Sequence, residues 1–142
     1  MDLNAQWVVG FVDGEGCFHI GINQNREMKL GVQVLPELTV VQHEVDEQVL
    51  YALKNYFGCG VVRKNHGTRL CYRVRGHQNL LEKIIPFFEK HQLKTRKRVD
   101  FAKFRKVVAF KNLLTGSVLT AESTERPDLD KCNQLVAVAI QG

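Results

Sequence analysis

Residues 8–16 read VVGFVDGEG, and this run of small, apolar and acidic residues constrains the architecture more than any other stretch. Asn4 can cap a helix, and Trp7, Val8, Phe11 and Val12 recur at helical spacing. The pattern predicts a short helix through Asp13, broken by Gly14 and Gly16. Gly10 and Gly14 lie four apart, so they share one helix face with no side chain to hold a neighbour away. Two such helices can approach until their backbones nearly touch, through Val9, Gly10, Asp13 and Gly14. The chain has one copy of the motif, so the natural assembly is a C2 homodimer. The GEG turn then drops Glu15 at the foot of the contact. Two carboxylates converging on a dyad repel each other unless a divalent cation lies between them. Mg²⁺ suits such a site because it takes oxygen ligands and accepts few protein carboxylates; the Gly14 carbonyl is the second expected ligand.

Outward from the motif, residues 17–23 alternate, with Phe18, Ile20 and Ile22 on one face and Cys17, His19, Gly21 and Asn23 on the other. After a polar loop at 23–29, residues 30–42 alternate again. Leu30, Val32, Val34, Leu38 and Val40 point inward, and Gln33, Leu35, Glu37 and Thr39 point outward. Pro36 demands an edge position or a bulge there. Val45, Val49, Leu50, Leu53, Tyr56 and Phe57 have helical spacing, ended by Gly58. Strands at 61–65 and 69–75 follow, the second with Leu70, Tyr72 and Val74 opposed to Arg69, Cys71, Arg73 and Arg75. A helix over 78–85 is expected to stop near Pro86. A long helix over 95–114 buries Phe101, Phe104 and Val108, and a last one begins at Pro127 and runs to about residue 140. The order is α-β-β-α-β-β-α with trailing helices: an α+β fold in which one sheet carries helices on its inner face. Residues 1–142 read as a single domain.

Twenty Lys and Arg against fifteen Asp and Glu give a net charge of +5, and the basic residues cluster. Lys90, Lys94, Arg96, Lys97, Arg98, Lys103, Arg105, Lys106 and Lys111 are opposed by Asp100 alone between residues 90 and 111. A second group is Arg63, Lys64, Arg69, Arg73 and Arg75. Three outward arginines at period two in one strand, Arg69, Arg73 and Arg75, suit a surface that meets nucleic acid, since a two-stranded ribbon fits the major groove. The cysteines Cys17, Cys59, Cys71 and Cys132 form no CxxC pair and read as reduced thiols. His43, His66, His77 and His91 lack metal-site spacing and read as surface residues. No apolar run is long enough to cross a membrane, and the N-terminus lacks the marks of a secretory signal.

The stretch VVGFVDGEG resembles the LAGLIDADG signature of the homing endonucleases. Gly10 stands for the first glycine, Asp13 for the first acid, Glu15 for the second and Gly16 for the last glycine. PFFEKHQLKTRKR at 86–98 and RPDLDKCNQLVAVAI at 126–140 are similar to the late segments of the single-motif members. The resemblance implies an αββαββα core with a saddle-shaped, four-stranded antiparallel sheet, dimerised through the motif helices. It implies metal-dependent hydrolysis of both strands of a long pseudo-palindromic DNA target, the activity behind intron homing. It places Glu15 at the metal and Gln42 where relatives orient water. Lys94, or Lys97 if the alignment slips, takes the place of their basic residue. The arginine that a relative carries four residues after Gln42 is replaced here by Asp46. The base-facing positions it implies are His19, Asn23, Gln33, Thr39, Arg63, Asn65 and Arg73, with Arg75 beside them on the basic face.

Two alternatives share the same surface: a maturase folding its group I intron RNA, and a DNA-binding protein that does not cut. The intact Glu15 argues against the second, and Asp46 argues for it. An intracellular place of work is expected, either an organelle (chloroplast or mitochondrion) that encodes the protein or a bacterial cytoplasm.

Overall fold

The computed structural model describes residues 1–28 and 31–119, with 111–119 as helical backbone only. The expected helix at 127–140, the inward position of Leu30, the Lys111 side chain and Cys132 lie outside what is described. Helix α1 (Ala5–Glu15) starts where the sequence places its cap: Asn4 Oδ1 accepts from the Trp7 N–H at 2.9 Å. It runs two residues further than expected, carrying Gly14 and Glu15 in helical conformation. The reason lies 84 residues beyond Asp13. Lys97 Nζ donates to the carbonyls of Val12 (3.2 Å) and Asp13 (3.0 Å), supplying a cation and two donors to the negative end of the helix. At Gly16 the backbone turns extended, and an added Cβ would lie 2.7 Å from Val12 Cγ1 and 2.8 Å from Val12 O. Only glycine fits that corner.

Strand β1 (Gly16–Gln24) pairs with β2 (Val32–His43) in one unbroken register, from Gly16↔Val40 to Gln24↔Val32. A 3₁₀ turn at Glu44–Asp46 leads into α2 (Glu47–Phe57), which ends on Gly58 in the left-handed region at φ 69°. Strands β3 (Val61–Lys64) and β4 (Arg69–Val74) complete an antiparallel sheet of order β1-β2-β4-β3. Pro36 needs no bulge. The β2–β4 pairing covers only Leu38–His43, so at Pro36 the strand has one neighbour, β1, and no β4 ladder bond is lost.

The segment around Pro86 departs from expectation. Helical backbone runs through the proline as α3 (His77–Asn79), a π-helical stretch (Leu80–Ile84) and α4 (Ile85–Lys90). The wider π turn, closed by the Ile85 N–H on Leu80 O, lets the chain pass a residue that lacks an N–H. Helix α5 (Lys97–Leu119) follows.

The inner sheet face supplies Leu38, Val40, Tyr72 and Val74 to the core. Val8 and Val12 meet them from α1, Leu50 and Leu53 from α2, Phe88 from α4, and Phe104 and Val108 from α5. Each such side chain contributes roughly 1.5–3 kcal/mol by leaving water. Phe18 on β1 touches the rings of Phe88, Phe101 and Phe104 at 5.2–5.4 Å, fixing the sheet to α4 and α5. Tyr72 keeps its hydroxyl satisfied inside by donating to Cys59 O at 2.8 Å. Several positions assigned by periodicity are not core: Trp7, Ile22, Tyr56 and Val45 are exposed, the last 73%. His77 is not a free surface histidine, for both ring nitrogens are buried. No helix among the described residues is long and apolar enough to cross a membrane.

Candidate active site

Three parts of the chain meet at the C-terminal end of α1. Glu15 is exposed there, and Gln42, near the end of β2, donates from Nε2 to Glu15 Oε2 at 3.2 Å. The two sit 27 residues apart, and the β1–β2 register brings them together. Asp13, two residues earlier, behaves differently. Its carboxylate accepts from the backbone N–H of Lys94 (2.9 Å) and of Thr95 (3.2 Å), and from the Thr95 hydroxyl. Burial alone would raise its pKa, but those hydrogen bonds, with the nearby charge of Lys97, hold it below the ordinary 3.8. Asp13 therefore tethers the entrance of α5 to α1. Thr95 was invisible to sequence reasoning, since nothing local links residues 82 apart.

The two candidate lysines separate cleanly. Lys94 reaches this cluster through its backbone N–H, and its side chain is exposed. Lys97 is half-buried and brings its ammonium to the helix end itself, on the Val12 and Asp13 carbonyls. Asp46 is exposed in the turn that leads into α2 and adds no positive charge.

Of the four residues expected at the dimer contact, two are also engaged within the chain. Val9 is only 6% exposed and belongs to the chain's own core, and Asp13 is engaged with Lys94 and Thr95. Gly10 and Gly14 do lie open, with nothing among the described residues within 4 Å of an added Cβ at either. Trp7 shares their face at i, i+3 and i+7. It is 41% exposed, and its ring stacks on Phe11 at 4.8 Å. That spacing is legible in the sequence, where Trp7 groups by periodicity with Val8, Phe11 and Val12.

The outer sheet face gathers the basic strand positions. Thr39 pairs across strands with Arg73, Arg73 with Val61, and Arg63 with Cys71. Glu37, Thr39, Arg63, Asn65 and Arg73 line one shallow open groove. His19, Asn23 and Arg75 are exposed and Gln33 is half-exposed, with Asn23 and Gln33 directly paired.

Can these residues hold a divalent cation? Among the described residues no three His, Cys, Asp or Glu side chains converge, so one chain makes no closed cage. What it offers is one exposed carboxylate, Glu15, with Oε2 held by Gln42, next to the last carbonyls of a helix, Gly14 included. Oxygen donors of low number suit Mg²⁺, which fills its remaining positions from water and phosphate. The fit is that of half a site.

Known proteins resemble this chain over most of its length. The family model described as LAGLIDADG endonuclease matches residues 8–108. A protein of Neurospora crassa, "Probable intron-encoded endonuclease 2", is 35% identical over 109 residues, covering 75% of this chain and 24% of that protein. The crystal structure of the homing endonuclease I-TnaI superposes with a TM-score of 0.77 at 46% identity, covering 98% of this chain and 99% of that one. I-SmaMI, solved with an uncleaved DNA target in the presence of calcium ions, gives 0.81 at 27% identity over 98% of this chain and 45% of its own. The chain spans about a fifth to just over half of the length of the curated relatives it matches.

Proposed function

This chain belongs to the LAGLIDADG endonuclease family, and from that premise we propose that it is a site-specific DNA endonuclease acting as a symmetric pair. Two copies dock through the open face of α1, a duplex lies across their outer sheet faces, and each copy cuts one strand. The observation that carries this reading is the contrast at the end of α1. Asp13 is fully bonded within the chain, while Glu15, two residues on, stays exposed beside an open, glycine-lined surface. The intron-encoded relatives support a gene lying within an intron, in keeping with synthesis in an organelle or a bacterium.

Glu15 and the Gly14 carbonyl would hold Mg²⁺, which when bound lowers the pKa of water and offsets charge building on a phosphate. The chain's own groups do the rest. Gln42 fixes the rotamer of Glu15 through its amide N–H and keeps its carbonyl oxygen to accept from an attacking water. Lys97 has three N–H donors, two of them on α1 carbonyls, which leaves one for a phosphate oxygen. With Asp46 contributing no cation, Lys97 carries the positive charge of the site. The groove of Arg63, Arg73, Thr39 and Asn65 receives the duplex, with Arg75, His19, Asn23 and Gln33 extending it along β1 and β2.

The test is a plasmid carrying the joined sequence that flanks the host intron, incubated with Mg²⁺. Wild type should give linear product. Glu15→Gln should bind as tightly and cut on the order of 10³-fold more slowly. Cleavage by that variant at the wild-type rate, or no linear product from wild type, would contradict the reading.

A further inference from the structure

Of the strand residues on the outer face, Glu37 alone is acidic. A carboxylate there opposes a polyanion, so its presence calls for a reason. It is not an ordinary solvated surface charge: its side chain is only 15% exposed. Arg75 donates from Nε to Glu37 Oε2, and His19 Nδ1 lies 3.6 Å from Oε1 on the other side. The placement follows from register. His19 is the direct partner of Glu37 on β1, and Arg75 lies one step past Val74, which pairs with Leu38. With Nε engaged, the two terminal nitrogens of Arg75 keep their donors, and its side chain remains 47% exposed.

We propose that Glu37 is a specificity-determining positioning residue, which holds Arg75 for a base edge and denies it to the phosphate backbone. The inference rests on the endonuclease reading of this face. A guanidinium held at Nε has lost most of its rotamers before DNA arrives, so less ordering entropy is lost on binding. Its end-on pair of donors matches the O6 and N7 acceptors of guanine. The adjacent carboxylate repels a phosphate that approaches the same arginine and tolerates a neutral base, so the wrong contact is made unfavourable as well as the right one favourable.

The experiment uses full-length protein and a duplex library randomised across one half-site, with Ca²⁺ in place of Mg²⁺ to hold binding without cutting. Wild type, Glu37→Gln, Arg75→Ala and the double variant are compared. Glu37→Gln should lose on the order of tenfold in preference at one base pair per half-site. It should also bind random duplex more tightly, with a salt slope steeper by about one phosphate contact. The double variant should match Arg75→Ala in preference at that base pair. A structural role alone would weaken binding to all sequences and raise affinity for none. Uniform weakening by Glu37→Gln, or additive losses in the double variant, would overturn the proposal. Failure of wild type to bind any duplex would instead remove the reading beneath it, and the proposal with it.

Discussion

Helix α1 has two sides that the chain treats differently. On one side Val8 and Val12 are fully buried, Val9 nearly so, and Asp13 is bonded to the entrance of α5. On the other, Trp7 lies 41% exposed, and Gly10 and Gly14 face open space. Each glycine inside a helix costs about 1 kcal/mol relative to alanine. At Gly16 the fold explains the residue, because a Cβ would strike Val12. At Gly10 and Gly14 nothing among the described residues does. On the proposed pairing, a helix that gives up stability at two positions where alanine would fit does so for a partner backbone that must come close. The same division separates the acids: Asp13 is bonded within the fold, and Glu15 at the helix end stays exposed, as the proposed chemistry requires.

The comparison is broken most readily at Gly10. Gly10→Leu places a large side chain on the open side, so both association and DNA cleavage should drop by more than about a hundredfold. The thermal stability of the isolated chain should hold or rise by up to about 1 kcal/mol. A Gly10→Leu protein that cuts normally would mean that the open side has no partner. At Gly16 the sign reverses. Gly16→Ala should destabilise by about 1–3 kcal/mol in urea unfolding, from the contact with Val12; a neutral result would erase the contrast between the glycines.

Asp13→Ala should cost about 1–2 kcal/mol as the tether to Lys94 and Thr95 is lost, while Gln42 still reaches Glu15. The pH dependence gives the smallest and sharpest test. The folded pKa of Asp13 lies below the ordinary 3.8, so the carboxylate stabilises the fold above that value and loses its contribution as pH falls through the lowered one. Melting followed from about pH 5 down to about pH 2 should therefore fall more steeply in wild type than in Asp13→Ala. Parallel curves would show that Asp13 is not the group tying α1 to α5.

Much of the fold was legible because a sheet with one buried face writes itself as alternation, and β1, β2 and β4 each read that way. Gly58 ended α2 where a left-handed cap was needed. What escaped was set by distant contacts. The two extra residues of α1 depend on the Lys97 ammonium, and the passage through Pro86 on a π turn that no periodicity announces. Strand and helix ends misled in the opposite direction, since Ile22 and Val45 fit an apolar pattern at places the core does not reach. In the site, Glu15 and the paired glycines could be read from nine residues. The difference between Lys97 and Lys94 could not, because both sit in one basic run and only the folded chain brings the Lys97 ammonium to the end of α1.

Everything in the proposed chemistry requires two chains to meet across Gly10 and Gly14, and sedimentation equilibrium at micromolar concentration measures this most directly. Wild type should sediment at twice the chain mass of 16.2 kDa, and Gly10→Leu at the single-chain mass. A wild type that stays at the single-chain mass while cutting both strands of its target, or a Gly10→Leu protein as dimeric as wild type, would contradict the pairing of the two Glu15 carboxylates.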